Sequence, residues 1–288
     1  MPWLPLSLLA AFALATTDAM TKRFFSDLTP YEMAAVRLIY ALPWLAASLF
    51  FIPSVVPDRF YFYAILSAAP LELWALYCYM KAIKVSPLSL TLPFLAFTPA
   101  FIMLTGWALL GERLGMMGVT GIILIVTGSY FLNISSVKGG LFAPIKAILK
   151  EEGSRLILLV SFIYSITSVI GKVGVLHSNP YFFGSTYFIV LAVLSSVLIP
   201  FMPGSSMRRL ILRPGNGLAI GAVYSIMVFS HMLAISQVEA AYMISVKRIS
   251  LLFGILYGAW WFREEKIGER LVGAVIMLLG VFLIGFSS

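Results

Sequence analysis

Charged residues are scarce in this chain: they make up 11% of its 288 residues, whereas 61% are hydrophobic. Soluble globular domains carry about 25% charged residues, so this composition excludes them. Cysteine is scarcer still, because Cys78 is the only one, and the sequence therefore offers no disulfide framework and no cysteine-based metal site. We expect an integral membrane protein that holds neither a metal nor a cofactor.

Ten apolar stretches are long enough to be membrane spans. They lack alternating polar positions, which is typical of spanning helices and not of the strands of a β-barrel. The first stretch has no basic residue before Trp3 and no small-residue cleavage site, so we expect it to stay in the mature protein. The predicted spans are residues 3–24, 30–52, 60–80, 87–110, 116–134, 156–176, 181–202, 215–236, 240–262 and 271–287.

The two halves of the chain are related by an internal repeat. At an offset of 150 the first helix matches the sixth, and at an offset of 153 the end of the first half matches the end of the second. An odd number of spans per repeat sends the second copy through the membrane in the opposite direction. The sequence therefore predicts an all-α polytopic protein built as two inverted five-helix repeats. The matched pairs include Leu8 and Leu158, Leu9 and Leu159, Phe12 and Phe162, Thr17 and Thr167, Lys22 and Lys172, Trp107 and Trp260, and Glu112 and Glu265.

A short turn before the last helix of each repeat carries a family resemblance. The segments Leu110-Gly-Glu-Arg-Leu-Gly115 and Arg263-Glu-Glu-Lys-Ile-Gly268 resemble the Gly-Glu-x-Leu turn of the drug/metabolite transporter superfamily, EamA-type branch. The second copy has Glu264 where glycine is usual. The resemblance covers essentially the whole chain and implies a first repeat at 1–138, a linker at 139–155 and a second repeat at 156–288. Members of the superfamily carry amino acids, nucleotide sugars, sugar phosphates, choline-like cations or drugs, so the resemblance implies a transporter and leaves the substrate open.

The distribution of basic residues predicts the orientation. Nearly all Lys and Arg residues near the ends of the spans fall on the face of the odd-numbered loops, and only Arg59 and Arg113 fall on the opposite face. By the positive-inside rule the odd loops are cytoplasmic and both termini lie outside, whereas relatives in the superfamily are held to keep both termini in the cytoplasm. We follow the charge bias and expect a multi-pass protein of the cell (inner) membrane. The basic residues are spread over short loops, so no nucleic-acid partner is predicted.

The dipeptide Lys247-Arg248 lies about eight residues inside an apolar segment and has no acidic neighbour at helical spacing. A Lys or Arg at the centre of a membrane helix costs roughly 2.5 to 3.5 kcal/mol, so such residues usually face a cavity or a partner. We therefore expect both side chains to meet an anion. The alternative is that they extend along their apolar stems to an interface.

Other polar residues inside the spans complete the predicted site. Asp18 and Lys22 are four residues apart and could pair along one helix face. Glu72 follows Pro70 and could exchange protons, or it could form a permanent ion pair with Arg37 or Lys247. The predicted substrate-binding residues are Lys247, Arg248, Lys22, Arg37, Lys172, Tyr77, Tyr224 and Tyr242, and the predicted proton-coupling residues are Glu72 and Asp18.

The favoured function is secondary active transport of a small polar metabolite by alternating access. No Walker motif is present, so ATP is not the direct energy source. The Lys247-Arg248 pair is similar to the pair in the ninth helix of plastid triose-phosphate and related sugar-phosphate transporters, where both residues hold phosphate. The lysine that those proteins place in the fourth helix is missing here. Phosphate and carboxylate substrates therefore both stay open.

Two other functions would require different residues. A proton-coupled exporter of amino acids or cationic drugs would use Glu72 or Asp18 and would need uncompensated acidic charge in its cavity. A membrane enzyme would need a nucleophile and a base in one place, and no Ser-His or paired-aspartate constellation occurs at helical spacing. We expect a transporter and not an enzyme, with a small-molecule substrate and the lipid bilayer as partners, as a monomer or homodimer.

Overall fold

A computed structural model describes residues 2–53, 55–86, 92–131, 151–262 and 271–287. Within these ranges the regular structure is helical and comprises ten apolar segments and the four-residue helix Met207–Leu210. Seven of the apolar segments are long and apolar enough to cross a membrane, and three are shorter. The segments are α1 (Trp3–Phe25), α2 (Pro30–Ile39 and Leu42–Leu49), α3 (Arg59–Val85), α4 (Phe97–Leu110, after the 3-10 turn Leu92–Ala96), α5 (Met116–Phe131), α6 (Glu152–Leu176), α7 (Pro180–Leu198, continued by the 3-10 turn Ile199–Phe201), α8 (Pro214–Ile235), α9 (Ala240–Lys247 and Ser250–Phe262) and α10 (Leu271–Ser287). The predicted all-α polytopic membrane fold is confirmed.

Several predictions from the sequence lie outside the described residues. They concern the second copy of the family turn at 263–268 and the linker residues 139–150. The rest of the linker, residues 151–155, is described: Glu151 caps the first turn of α6, and the helix begins at Glu152, a few residues earlier than the sequence indicated.

Helix boundaries follow local sequence signals. Thr29 and Glu32 form a capping box at the start of α2, and the side chains of Asp58 and Asn179 accept the first backbone amides of α3 and α7. Helix α4 ends at Gly111, whose φ of 66° is in the left-handed region that favours glycine. The chain therefore turns where short polar residues or glycine satisfy the free ends of the helices.

The contacts between helices are arranged symmetrically. Helix α1 packs along α8, and α3 packs along α6. These two contacts are equivalent, because α1 corresponds to α6 and α3 to α8 in the repeat. Helix α5 packs along its own counterpart, α10. The backbones of α5 and α10 approach closely. A Cβ on Gly121 would lie 2.7 Å from the carbonyl oxygen of Gly280, and a Cβ on Gly128 would lie 2.7 Å from that of Gly273. Small residues at such positions allow membrane helices to approach closely.

The loop contacts show that the repeats are inverted. At the end of α1, Arg213 from the segment before α8 bonds Asp27 at 2.8 Å, and this hydrogen bond lowers the pKa of the Asp27 carboxyl group. At the end of α6, His177 bonds Asp58 at 2.7 Å in the segment between α2 and α3. Because α2 runs back from the side on which α1 ends, α1 and its counterpart α6 end on opposite sides of the bundle.

Helix α9 is tightened at its centre. The amide of Ile249 bonds the carbonyl oxygen of Val246 at 3.0 Å, and the amide of Leu251 bonds that of Arg248 at 3.0 Å, so a turn separates the two halves. Irregular backbone at membrane depth is tolerated where it lines a cavity, and helix C-termini favour cations. The turn thus places Lys247 and Arg248 at the C-terminal end of a half-helix.

Candidate functional site

A cavity of about 110 Å³ lies between the two repeats. Both repeats contribute, since its walls come from α1, α2 and α3 on one side and from α6, α7, α8 and α9 on the other. Five residues of the predicted site line it, namely Arg37, Glu72, Tyr224, Lys247 and Arg248. The remaining polar lining residues are Tyr79, Tyr164, Thr167, Ser168, Tyr187 and His231.

Arg248 is the least compensated charge of the cavity. Its residue is 5% exposed, and no carboxylate of the described part of the chain pairs with it. Its Nε is buried without a hydrogen-bond partner. A guanidinium presents five donors in a planar fork that matches two oxygen atoms, and leaving it buried and unpaired is costly. The charge of Arg248 is therefore available to a group that enters the cavity.

Lys247 has neutral partners. Its Nζ lies 2.9 Å from Nδ1 of His231 and 3.5 Å from the sulfur of Met227. An ammonium group only donates, so a charged Lys247 requires His231 to accept at Nδ1 and to carry its hydrogen on Nε2. Both Lys247 and Arg248 line the cavity and do not extend to an interface, which removes the alternative considered from the sequence.

Arg37 is paired. Its Nη2 donates to Oδ1 of Asp18 at 2.9 Å, and the hydroxyl of Tyr79 donates to Oδ2 of the same carboxylate at 2.9 Å. The guanidinium also lies 5.9 Å from the centre of the Tyr224 ring. Asp18 therefore neutralises Arg37 and holds two side chains of the cavity wall, on α2 and α3, in fixed positions.

Glu72 is half-buried and faces the cavity from α3, two residues after Pro70. Thr167 on α6 and Lys247 on α9 are its polar and its cationic neighbour in the cavity lining. Within the described ranges it forms no ion pair, so a permanent bridge to Arg37 or Lys247 is absent there. Of the two acidic residues predicted for coupling, Glu72 is the one that lines the cavity.

The other predicted residues lie elsewhere. Lys172 donates to Oε1 of Glu112 at 2.6 Å and to the carbonyl oxygen of Val238 at 2.6 Å, and Glu112 also accepts the amide of Ala240 at 3.1 and 3.2 Å. Tyr242, also predicted for substrate, instead accepts the amide of Gly115 with its hydroxyl at 3.1 Å. Lys22 and Tyr77 do not line the cavity.

The contacts among Glu112, Lys172, Val238 and Ala240 lie next to the cavity and are called here the terminal-side latch. Gly171, which directly precedes Lys172 on α6, and Ile235, three residues before Val238, both line the cavity. Glu112 was interpreted from the sequence only as part of the family turn. The signal that could have found it is Lys172, a buried cation with no acidic residue at helical spacing.

Tyr187 was also missed. Its hydroxyl is buried without a hydrogen-bond partner, and the residue lines the cavity beside Phe188. A buried hydroxyl usually finds a partner, so Tyr187 offers the ligand a donor or an acceptor. No sequence pattern separates this tyrosine from those that only pack.

Comparison with known proteins places the chain in a family. The model of the EamA-like transporter family matches residues 1–134 and again residues 152–286. A solved structure described only as "Crystal structure of protein" is 14% identical and aligns over 99% of this chain and 95% of that chain, with a TM-score of 0.73, which shows a shared fold. No curated protein matches the sequence. The double match covers nearly all the chain, and the chain belongs to the EamA-like transporter family of membrane proteins.

Proposed function

We propose that the protein is a secondary active transporter of a small anionic metabolite, which it moves by alternating access between its two repeats. The observation that carries this proposal is Arg248, a buried guanidinium that lines the central cavity with no carboxylate partner in the described chain. A bound anion would supply the missing partner, and the shielded site would strengthen the interaction.

The charges of the cavity favour an anion over a cation. A cation exporter needs an acidic group that is left uncompensated, but Asp18 is paired with Arg37 and Glu72 has Lys247 as a cationic neighbour. The surplus charge is the positive one of Arg248. We therefore prefer anion transport to the proton-coupled export of amino acids or cationic drugs.

Alternating access suits the position of the cavity and of the contacts beside it. The terminal-side latch joins α6 to the turn after α4 and to the beginning of α9, which are parts of both repeats. Rocking of one repeat against the other would break these contacts and open the cavity to the side of the chain termini. In keeping with the charge bias, we place the protein in the cell (inner) membrane with that side outward, as a monomer or homodimer.

A ligand screen tests the proposal. We expect the anionic fraction of a metabolite extract, separated by ion exchange, to raise the unfolding temperature of the purified protein, and the cationic fraction to leave it unchanged. A ligand at 100 times its dissociation constant stabilises the folded state by about 2.7 kcal/mol, which a thermal-shift measurement resolves. Stabilisation by the cationic fraction alone would reverse the proposed charge of the substrate.

Replacing Glu72 by Gln tests the coupling step. We expect the variant to exchange substrate across the membrane while losing accumulation driven by a pH gradient, because Glu72 is the acidic side chain that lines the cavity among the described residues. The measurement compares counterflow with pH-driven uptake in proteoliposomes.

The matched control is Glu239→Gln, which removes the same charge from the loop before α9, outside the cavity lining. Normal pH-driven accumulation by Glu72→Gln would assign the proton to another group or show that transport is not coupled to protons.

A further inference from the structure

We infer that the ligand is a short aliphatic monocarboxylate, with its carboxylate at Arg248 and its hydrocarbon tail against the apolar wall formed by α8 and α9. This inference rests on the proposed function and narrows it to one substrate class. Three independent properties of the cavity support it: its net charge, its volume and the composition of its wall.

The net charge points to a single negative charge on the ligand. The cavity and the groups bound to it contain three cations, Arg37, Lys247 and Arg248, and two carboxylates, Asp18 and Glu72. In the state in which Glu72 has released its proton, all five groups are ionised and the surplus is one positive charge, which a monoanion neutralises. In that state a phosphate monoester with two negative charges would leave the site with unbalanced negative charge.

The volume limits the ligand to a few non-hydrogen atoms. A dry protein cavity of about 150 Å³ holds one benzene molecule, which has six of them. The cavity here is about 110 Å³ and therefore accepts a molecule of about four to six non-hydrogen atoms in this conformation. A three- or four-carbon acid, with five or six non-hydrogen atoms, is near this limit, whereas a sugar phosphate exceeds it.

The wall next to the cations is apolar. Met227, Val228, Met232 and Ile235 on α8 and Ile244 on α9 line the cavity, and each of them is at most 5% exposed. Sugar hydroxyl groups placed against these side chains would lose their hydrogen bonds to water without replacement. A hydrocarbon tail gains free energy from the same surface.

The carboxylate end of the ligand has donors that are still unused. Nε of Arg248 and the hydroxyl of Tyr187 are both buried without partners, and both residues line the cavity. A carboxylate at Arg248 accepts from the guanidinium, and Tyr187 offers a further donor elsewhere in the cavity lining. Binding would therefore satisfy buried polar groups that the described protein leaves open.

The test measures the affinity of the purified protein for straight-chain acids from acetate to octanoate by calorimetry. We expect affinity to rise about fourfold per added methylene up to propanoate or butanoate and to fall for longer chains, since each buried methylene contributes about that factor until the cavity is full. Butanamide, which has the same shape without the charge, should bind at least tenfold more weakly than butanoate.

The outcomes separate this inference from the proposed function. Tighter binding of glycerol phosphate or inorganic phosphate than of any acid in the series would overturn the inference and leave anion transport standing. If the protein bound cations and neither carboxylates nor phosphates, both this inference and the proposed anion transport would be overturned. Affinity that keeps rising to octanoate and is the same in Arg248→Gln would indicate partition into detergent and would also overturn the inference.

A second variant tests the cavity wall itself. Met232→Ala removes a lining side chain of α8, and we expect it to move the best-binding acid to a chain longer by one or two carbons. Met33→Ala is the matched control, because Met33 is equally buried but does not line the cavity, and its optimum should not move. An unchanged optimum in a folded Met232→Ala protein would contradict the placement of the tail.

Discussion

Replacing Arg248 by glutamine should weaken binding of the anionic substrate by at least tenfold, which corresponds to about 1.4 kcal/mol. The reason is that Arg248 is buried, lines the cavity and has no carboxylate partner among the described residues, so its charge is available to the ligand. Hydrogen bonds to charged groups contribute about 1.5 to 3 kcal/mol each, and the loss of two of them would exceed the tenfold minimum. Binding is measured on purified protein by calorimetry or by competition for counterflow.

Lys247→Gln provides the comparison within the same turn. Its ammonium already has His231 and Met227 as neighbours, so we expect a loss of affinity that is smaller than that of Arg248→Gln. We expect Arg37→Gln to act differently and to lower the unfolding temperature of the protein, because it leaves the Asp18 carboxylate without its ion-pair partner. Unchanged affinity in both Arg248→Gln and Lys247→Gln, with the protein folded, would end the anion hypothesis and favour the cation exporter.

Replacing Glu112 by glutamine should open the cavity to the side of the chain termini. The Glu112 side chain is 11% exposed and accepts from Lys172 at 2.6 Å and from the amide of Ala240, so it joins α6 to the start of α9. Removing one partner of a buried ion pair costs about 3 to 5 kcal/mol in the state that contains it. The closed state would lose this stabilisation, and the population open on that side would rise.

Cysteine labelling measures the opening. The single native cysteine is replaced in Cys78→Ser, and a reporter is placed in the cavity wall by Ser168→Cys. With a membrane-impermeant thiol reagent on the terminal side, we expect Glu112→Gln to raise the labelling rate at least tenfold. Lys172→Gln should have a similar effect because it breaks the same pair.

Glu239→Gln serves as the control for charge loss near the same loop, and its labelling rate should match that of the parent protein. An unchanged rate in Glu112→Gln would show that the terminal-side latch does not hold the cavity closed. If labelling became faster only when the reagent was added on the side opposite the termini, the latch would instead control access to the cavity from that side.

Much of the architecture was already determined by the amino-acid sequence. Apolar runs of spanning length specify where helices form, since a backbone in lipid must satisfy its own hydrogen bonds. The offset match between the halves specifies two inverted repeats, because five spans reverse the direction of the chain. The cost of burying Lys247 and Arg248 also predicted that both side chains face a cavity or a partner, and both residues line the central cavity.

Only the tertiary structure decided which of the buried charges are satisfied. The sequence left Asp18 and Arg37 with more than one possible partner and Lys172 with none at helical spacing. The packing of the helices assigned Asp18 to Arg37 and Lys172 to Glu112. The sequence likewise did not distinguish Tyr187 from tyrosines that only pack. It also predicted Tyr242 as a substrate-binding residue, whereas the hydroxyl of Tyr242 accepts the amide of Gly115 outside the cavity lining. Helical spacing describes neighbours along one helix, whereas an ion pair between helices depends on their rotation and depth. Those are set by side-chain packing over the whole bundle, and they leave Arg248 as the charge whose partner the described protein does not supply.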